Sequence, residues 1–435
     1  MIRKIKGTYD ILPDEIGKWH ELEAVIRNVS KLFNFQEIRT PMFEASELFH
    51  RSVGETTDIV KKETYDFEDR GKRMNTLRPE GTASVVRSVI ENKLYADPNL
   101  PLKLYYYGPM FRYERPQKGR QRQFHQFGAE IIGSDSPLVD AEVINFAATF
   151  LEALKIKNIN IRINTLGDAE SKEEYQKALN EYLEKNIQHL CDDCNRRYQE
   201  NPLRVLDCKV DKGSETLINA PKPINYLSDK AKIHFDQVTM ALDSLGLDYQ
   251  IDENLVRGLD YYTHTVFEID SDLETLGAQS TLVGGGRYNN LYASLAGPDL
   301  PAMGFAFGVE RLLLALEAIN QEPVNDYIHC YFINLSDIFQ TDALKIINDL
   351  RHGGLIVDYD FFNKNLKAQF KQADRLNPVY LLIYGDEEAK KQVVNVKRQD
   401  TKEQVEVDVN NLYQYLINGI SNRNCGGGCD SCDGC

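Results

Sequence analysis

With 435 residues, 42% of them hydrophobic and 27% charged, the chain has the composition of an ordinary globular protein and room for about two or three domains. Its net charge of −15 argues against a surface coated for nucleic acid, while allowing one basic local site. The opening stretch MIRKIKGTYDILP lacks the apolar core of a secretory signal, and no apolar run approaches the ~20 residues of a membrane helix, so a cytoplasmic location is expected.

Residues 1–165 mix strand and helix patterns. KLYYYGPMFRYE (103–114) and RQFHQFGAEIIG (122–133) are rich in aromatic and β-branched residues, which predicts an antiparallel hairpin. The segment between them, RYERPQKGRQR (112–122), carries five basic residues against one acid. It suits a solvated loop, and in an acidic chain it is also the best candidate for a phosphate partner. Alternation along the second strand puts Phe124, Gln126, Gly128 and Glu130 on one face and Phe127, Ala129 and Ile131 on the other. Arg112 and Glu114 share a face of the partner strand in this reading. Burying such charges without partners costs several kcal/mol, so the polar face lines a ligand cleft or else lies in solvent with its charges paired. Ser136-Pro137 is a helix start, followed by Val143, Phe146, Ala147, Phe150, Leu151 and Leu154 at helical spacing.

Residues 166–250 read as a helical insertion. Within it Cys191, Cys194 and Cys208 have zinc-like spacing, with His189 near as a further group. LVRGLDYYTHTVFEI (255–269) predicts a strand, on which Arg257 either packs its stem against Tyr261 with its head in water or serves a ligand. Strand character continues over 279–309. There VGGGRYNNL (283–291) suits close approach to a ligand or a tight turn, and it lacks the lysine ending of a P-loop. The helix VERLLLALEAI sets Arg311 in its opening turn, against the helix dipole; a bound polyphosphate or a neighbouring glutamate removes that conflict. After Pro323 the strands YIHCYFINL, LIVDYDF and VYLLIYGD alternate with the helices DALKIINDLRHGG and NLKAQFKQADRL, which predicts a small α/β domain with a largely parallel sheet. Cys425, Cys429, Cys432 and Cys435 fall in a Gly/Asp/Ser tail expected to be a disordered appendage. The eight cysteines are not read as a disulfide framework in a cytoplasmic chain of this length. The expected divisions are 1–165, 166–250, 251–322, 326–420 and the tail 421–435.

Several stretches, taken in order, resemble histidyl-tRNA synthetase, a class II aminoacyl-tRNA synthetase family, from KGTYDILP to near residue 420. LVRGLDYYTHTVFEI and VGGGRYNNL look like its two histidine-specific signatures. FQEIRTP (35–41), GPMFRYERPQKGRQRQFHQFGAE and MGFAFGVERL are similar to the three class motifs. The resemblance implies an α+β fold: a class II antiparallel sheet flanked by helices, with a helical insertion that contacts tRNA and a C-terminal α/β anticodon-binding domain. It implies a homodimer built through the first motif. It also implies ATP-dependent ligation of L-histidine to tRNA(His) through histidyl-adenylate, with Mg2+ on the ATP phosphates.

Position by position, the resemblance implies that Arg112 and Arg257 hold the α-phosphate from opposite sides, replacing part of the role of a metal ion. Glu114 contacts the adenine, Phe124 stacks on it, and Arg311 meets its other side and the γ-phosphate. Glu80, Thr82 and Gln126 hold the α-amino group; Glu130 and Tyr262 address the imidazole nitrogens, and Tyr261 walls the pocket. Arg115, Gln117 and Arg122 approach the tRNA acceptor end. His264 and the Asn289-Asn290 pair depart from the commoner family pattern, and the cysteine tail lies outside it. Two rival readings remain at this stage: a non-catalytic paralogue acting as a regulatory subunit of ATP phosphoribosyltransferase, and a metal-binding module resting on the cysteines.

Overall fold

The computed structural model describes residues 2–54, 57, 59–206, 208, 210–211, 213–273, 280–319 and 328–424. The chain divides into two compact units, Met1–Pro323 and Val324–Cys435. The cysteine tail from 425 onward lies outside the described residues.

The first unit opens with α1 (Ile16–Leu32), whose Trp19, Leu22, Ile26 and Val29 recur at helical spacing and are buried. β1 (Gln36–Glu37), β2 (Phe43–Ala45), α2 (Ser46–Val53), β3 (Tyr65–Glu68) and β4 (Met74–Leu77) follow. Of these, β2, β4 and β3 form a small antiparallel sheet. α3 (Thr82–Glu91) leads to the expected hairpin, β5 (Leu102–Phe111) with β6 (Gln123–Ile132), paired from Leu102 opposite Ile132 to Phe111 opposite Gln123. α4 (Pro137–Ala153) begins as the sequence predicts: the Ser136 hydroxyl accepts the Leu138 N–H and proline occupies the first turn.

Next come β7 (Ile159–Thr165), α5 (Ala169–Asn186), α6 (Asp192–Glu200), α7 (Glu215–Ile218), α8 (Asp229–Ser244) and β8 (Tyr249–Ile251). They are followed by β9 (Thr263–Ser271), β10 (Thr281–Arg287), α9 (Leu291–Ser294), β11 (Ala302–Gly308) and α10 (Val309–Ala318). The strand character expected over 279–309 is thus two strands separated by a short helix.

Among the described residues, eight strands form one sheet in the order β1-β5-β6-β11-β10-β9-β7-β8. The inner strands pair antiparallel, and β1 and β8 join the edges in parallel. One face is covered by α1, α4, α8 and α10, where Ile26, Phe146, Phe150, Phe235 and Leu312 pack with Phe127, Ala129 and Ile131 of β6. The opposite face meets Val85, Val86 and Val89 of α3 through Tyr106, Tyr261 and Tyr262. Within 166–250, Tyr175, Leu179, Leu183, Leu190, Val205 and Leu217 form a small core of their own. α8 instead gives Phe235, Val238 and Leu242 to the main core.

The second unit comprises β12 (Cys330–Asn334), α11 (Gln340–His352), β13 (Val357–Tyr359), α12 (Leu366–Leu376), β14 (Tyr380–Tyr384), α13 (Asp386–Lys391), β15 (Val393–Arg398), β16 (Gln404–Asp408) and α14 (Leu412–Asn424). Its sheet order is β13-β12-β14-β15-β16. The three strands and two helices read from the sequence are present, and their strands are parallel. β15 and β16 return antiparallel, so the sheet is mixed; the short connections after β14 are too brief for a parallel crossover. Among the described residues no helix is long and apolar enough to cross a membrane.

Candidate active site

Strand alternation on β6 sends Gln126, Gly128 and Glu130 to the face away from the main core, and both polar side chains are buried there. Glu130 lies opposite Gly304 of β11. A Cβ at Gly304 would overlap Glu130 Oε2, so glycine is what allows the carboxylate to lie across the sheet. Glu130 Oε1 accepts the Thr82 hydroxyl at 2.8 Å, and Oε2 accepts the Tyr288 hydroxyl at 2.5 Å. Burial pushes the Glu130 carboxyl up to about 8, against the pull of those two donors and with help from the charge of Glu80.

Glu80 heads α3, where its oxygens accept the N–H groups of Thr82 at 2.7 Å and Ala83 at 2.8 Å. Burial raises its pKa despite these donors and the nearby Arg112. Gln126 Oε1 accepts the Gly81 N–H at 3.0 Å. Gly81 and Gly128 leave space for the Tyr106 ring, which a Cβ at either position would overlap. Tyr261 and Tyr262 stack obliquely with centroids 4.7 Å apart, and Tyr261 meets Tyr288 edge-on at 5.6 Å. Glu80, Thr82, Gln126, Glu130, Tyr261 and Tyr262 therefore share one buried polar compartment. Tyr106 and Tyr288 belong to it as well, and sequence reading missed both. Tyr288 stands inside VGGGRYNNL, but only the strand order reveals that it reaches Glu130.

The second part of the site is a group of guanidinium groups. Arg257 does not head a strand: residues 258–262, in bends and a turn, separate it from β9. Nor does its head point to water. It pairs with Glu268 of β9 and lies over Gly284, where a Cβ would overlap the guanidinium. Glu268 also meets Arg162 at 2.7 Å and accepts the Thr281 hydroxyl at 3.3 Å. Arg311 donates to Thr281 O at 2.7 Å. Burial lowers the Arg311 pKa, and the positive charges of Arg120 and Arg112 add to that, while Glu114 and Glu268 oppose it. A half-buried cation in the first turn of α10 among other cations is a place suited to an anion.

Arg112 and Glu114 also depart from the strand reading. β5 ends at Phe111, and the Glu114 N–H closes on Arg112 O at 2.7 Å in a three-residue turn. Arg112 donates to Pro79 O at 2.8 Å, and its guanidinium lies 5.2 Å from the Phe124 ring centroid. Glu114 meets Arg120 at 3.3 Å. Arg122 stacks over Tyr113 at 3.9 Å, whereas Arg115 and Gln117 are exposed.

The compartment and the guanidinium group adjoin: the field of Arg112 reaches Glu80, and that of Arg257 reaches Tyr262.

The three glycines of VGGGRYNNL lie inside β10 and form no turn. A Cβ at Gly285 would run into Gly304 O and Phe267, and one at Gly286 into Tyr262. The next residue, Arg287, is fully buried and pairs with Asp140 of α4 while donating to Ser134 O at 2.9 Å and Ser136 O at 3.0 Å. Burial pushes the Asp140 carboxyl up, but Arg287 and His234 outweigh it and hold it at about 2. His264 has φ +46° where the pairing of β9 with β10 shifts, and burial lowers its pKa to about 4.

A family model described as Histidyl-tRNA synthetase matches residues 7–312, and an Anticodon binding domain model matches 329–419. A histidine–tRNA ligase of a Geobacillus sp. is 48% identical over 417 residues, spanning 96% of this chain and 99% of the relative. The chain belongs to the histidyl-tRNA synthetase family. The histidine–tRNA ligase of Staphylococcus haemolyticus is likewise 48% identical, over 96% of this chain and 99% of that protein. The crystal structure of apo S. aureus histidyl-tRNA synthetase superposes with a TM-score of 0.83 at 40% identity, covering 96% of this chain and all of that one (100%). In keeping with that family, the first unit has the class II antiparallel sheet flanked by helices, and the second is an anticodon-binding α/β domain.

Proposed function

We propose that the cleft on the polar face of the large sheet activates L-histidine with ATP and transfers it to tRNA(His). The chain is a histidine–tRNA ligase, in line with its relatives. The observation that carries the site reading is adjacency: a buried carboxyl group framed by hydroxyls lies beside Arg112, Arg257 and Arg311 on one sheet face.

In this reading Glu130 accepts from one imidazole nitrogen and Tyr262 addresses the other. No other side chain presents one N–H and one lone pair in that geometry. Substrates that leave these buried groups unpaired are rejected by a factor of ~10⁴ or more. Glu80, Thr82 and Gln126 hold the α-amino group. The substrate carboxylate attacks the α-phosphorus and displaces pyrophosphate, so no side-chain base is needed; positioning and charge stabilisation drive the step. Arg112 and Arg257 stabilise the charge that develops on the α-phosphate, Arg311 holds the γ-phosphate, Phe124 stacks on the adenine and Glu114 contacts it. Glu114 and Glu268 are already ion-paired with arginines. Magnesium therefore enters as part of the substrate, on the β- and γ-phosphates of ATP.

Arg115, Gln117 and Arg122 meet the acceptor end of the tRNA, and the 166–250 segment and the second unit meet the rest of it. A homodimer working in the cytoplasm completes the proposal. Charging of purified tRNA(His) with labelled histidine tests it, with tRNA lacking the 5′ guanine as the weaker substrate. Absence of histidine-dependent ATP–pyrophosphate exchange would instead favour a regulatory subunit.

A further inference from the structure

The insertion holds a group of ligand atoms that histidylation does not use. One atom each from Cys191, Cys194, Cys208 and Asp211 lies within 4.8 Å of the others. His189, the neighbour that the sequence offered, is outside this group and faces Gln188 at 3.3 Å. Sequence reading missed Asp211 because a carboxylate three residues after a cysteine carries no spacing signal of its own.

The geometry fits a tetrahedral thiophilic ion. Cys191 Sγ and Cys208 Sγ are 3.7 Å apart, close to the ~3.8 Å edge of a tetrahedron with zinc–sulfur bonds of about 2.3 Å. A disulfide needs about 2.05 Å. Backbone donors aim at the sulfurs: the Asp211 N–H reaches Cys208 Sγ at 3.4 Å, and the Cys194 N–H reaches Cys191 Sγ. Asp211 is itself held in place, its Oδ2 accepting the Cys191 N–H at 3.0 Å. Cys194 and Cys208 are buried in the insertion's small core, so the thiols are shielded from the surface.

We propose that Cys191, Cys194, Cys208 and Asp211 bind one zinc ion as a structural site of the insertion. The ion closes the loop between α6 and Asp211. Within that loop Asn201 and Arg204 each donate to Asp260 at 3.1 Å, next to Tyr261 and Tyr262. The site thereby braces the segment that carries the two tyrosines. This inference is independent of the proposed ligase activity, because its readout is metal content.

The test uses the full chain with C425S, C429S, C432S and C435S, which removes the tail cysteines as competing ligands. After saturation with zinc and desalting, elemental analysis is expected to find about one zinc per chain, and further substitution C208S is expected to abolish it. Cobalt replacing zinc should give thiolate charge-transfer bands and tetrahedral d–d bands. Asp211→Asn, at a partly exposed position, keeps the fold and should speed zinc loss to a chromogenic chelator by on the order of tenfold or more. Substoichiometric zinc in the tail variant, equal zinc after C208S, an unchanged release rate in D211N, or a Cys191–Cys208 disulfide in place of zinc would each overturn the four-ligand site.

Discussion

On β6, Phe127, Ala129 and Ile131 enter a cluster of aromatic and aliphatic side chains from α1, α4, α8 and α10. Gln126 and Glu130, on the same strand, enter a compartment of hydroxyls, carboxylates and glycines. The two faces of the large sheet thus follow opposite rules. The apolar face stabilises through burial, at roughly 25 cal/mol per Å². The other gives up side-chain volume at Gly128, Gly284 and Gly304 and carries a carboxyl whose pKa burial lifts to about 8. The lesson is a division of labour: one face holds the platform rigid so that the other can keep unfavourable groups in place before substrate arrives.

The comparison can be broken most severely from the apolar side. Phe127→Ala removes a fully buried ring that packs on Phe150 and Phe307, and should cost about 3–5 kcal/mol in denaturant unfolding. Arg257→Ala should lower histidine-dependent ATP–pyrophosphate exchange by about 10²–10³-fold. Its unfolding midpoint and histidine binding should stay close to wild type, since Glu268 keeps Arg162 as a partner.

Neighbouring glycines sharpen the contrast. In Gly284→Ala the atoms nearest the new Cβ are the guanidinium end of Arg257, so the fold should tolerate it while the rate falls by on the order of 10²-fold. In Gly285→Ala it meets the Gly304 carbonyl, so thermal stability should fall first. Equal thermal shifts in both variants would contradict the assignment.

The smallest effect expected is a pH-dependent one. Because the folded state keeps a proton on Glu130 that an unfolded carboxyl at 4.5 releases, stability contributed by this group is present at low pH and is lost as pH rises through about 8. Glu130→Gln, neutral at every pH, should melt a few degrees above wild type at pH 8–9, with the gap closing towards pH 5. Histidine discrimination should be lost in the same variant.

What was legible in the sequence was local. Period-two alternation on β6, the Ser136-Pro137 start of α4 and the strand–helix alternation after residue 323 all depend on residues close in the chain, and each is present in the fold. The misread positions are those where a turn intervenes: residues 258–262 between Arg257 and β9, and Arg112–Glu114 after β5. Tyr288, Arg287 and Gly304 were unreadable for another reason. Each works through a partner far away in the chain, on Glu130 or Asp140, and that pairing exists only because β11 lies between β6 and β10. The class motifs pointed to the guanidinium residues one by one, whereas their link through Glu268 and Thr281 needed the strand register.

The central claim is that an imidazole-reading compartment and a phosphate-binding group of arginines share one cleft. ATP–pyrophosphate exchange by the purified chain, run with histidine and then with each other amino acid, tests it most directly. The account predicts exchange with histidine alone, weakened at least tenfold by replacing Arg112 or Arg311 with alanine. Exchange independent of histidine, or undiminished in both arginine variants, would contradict it.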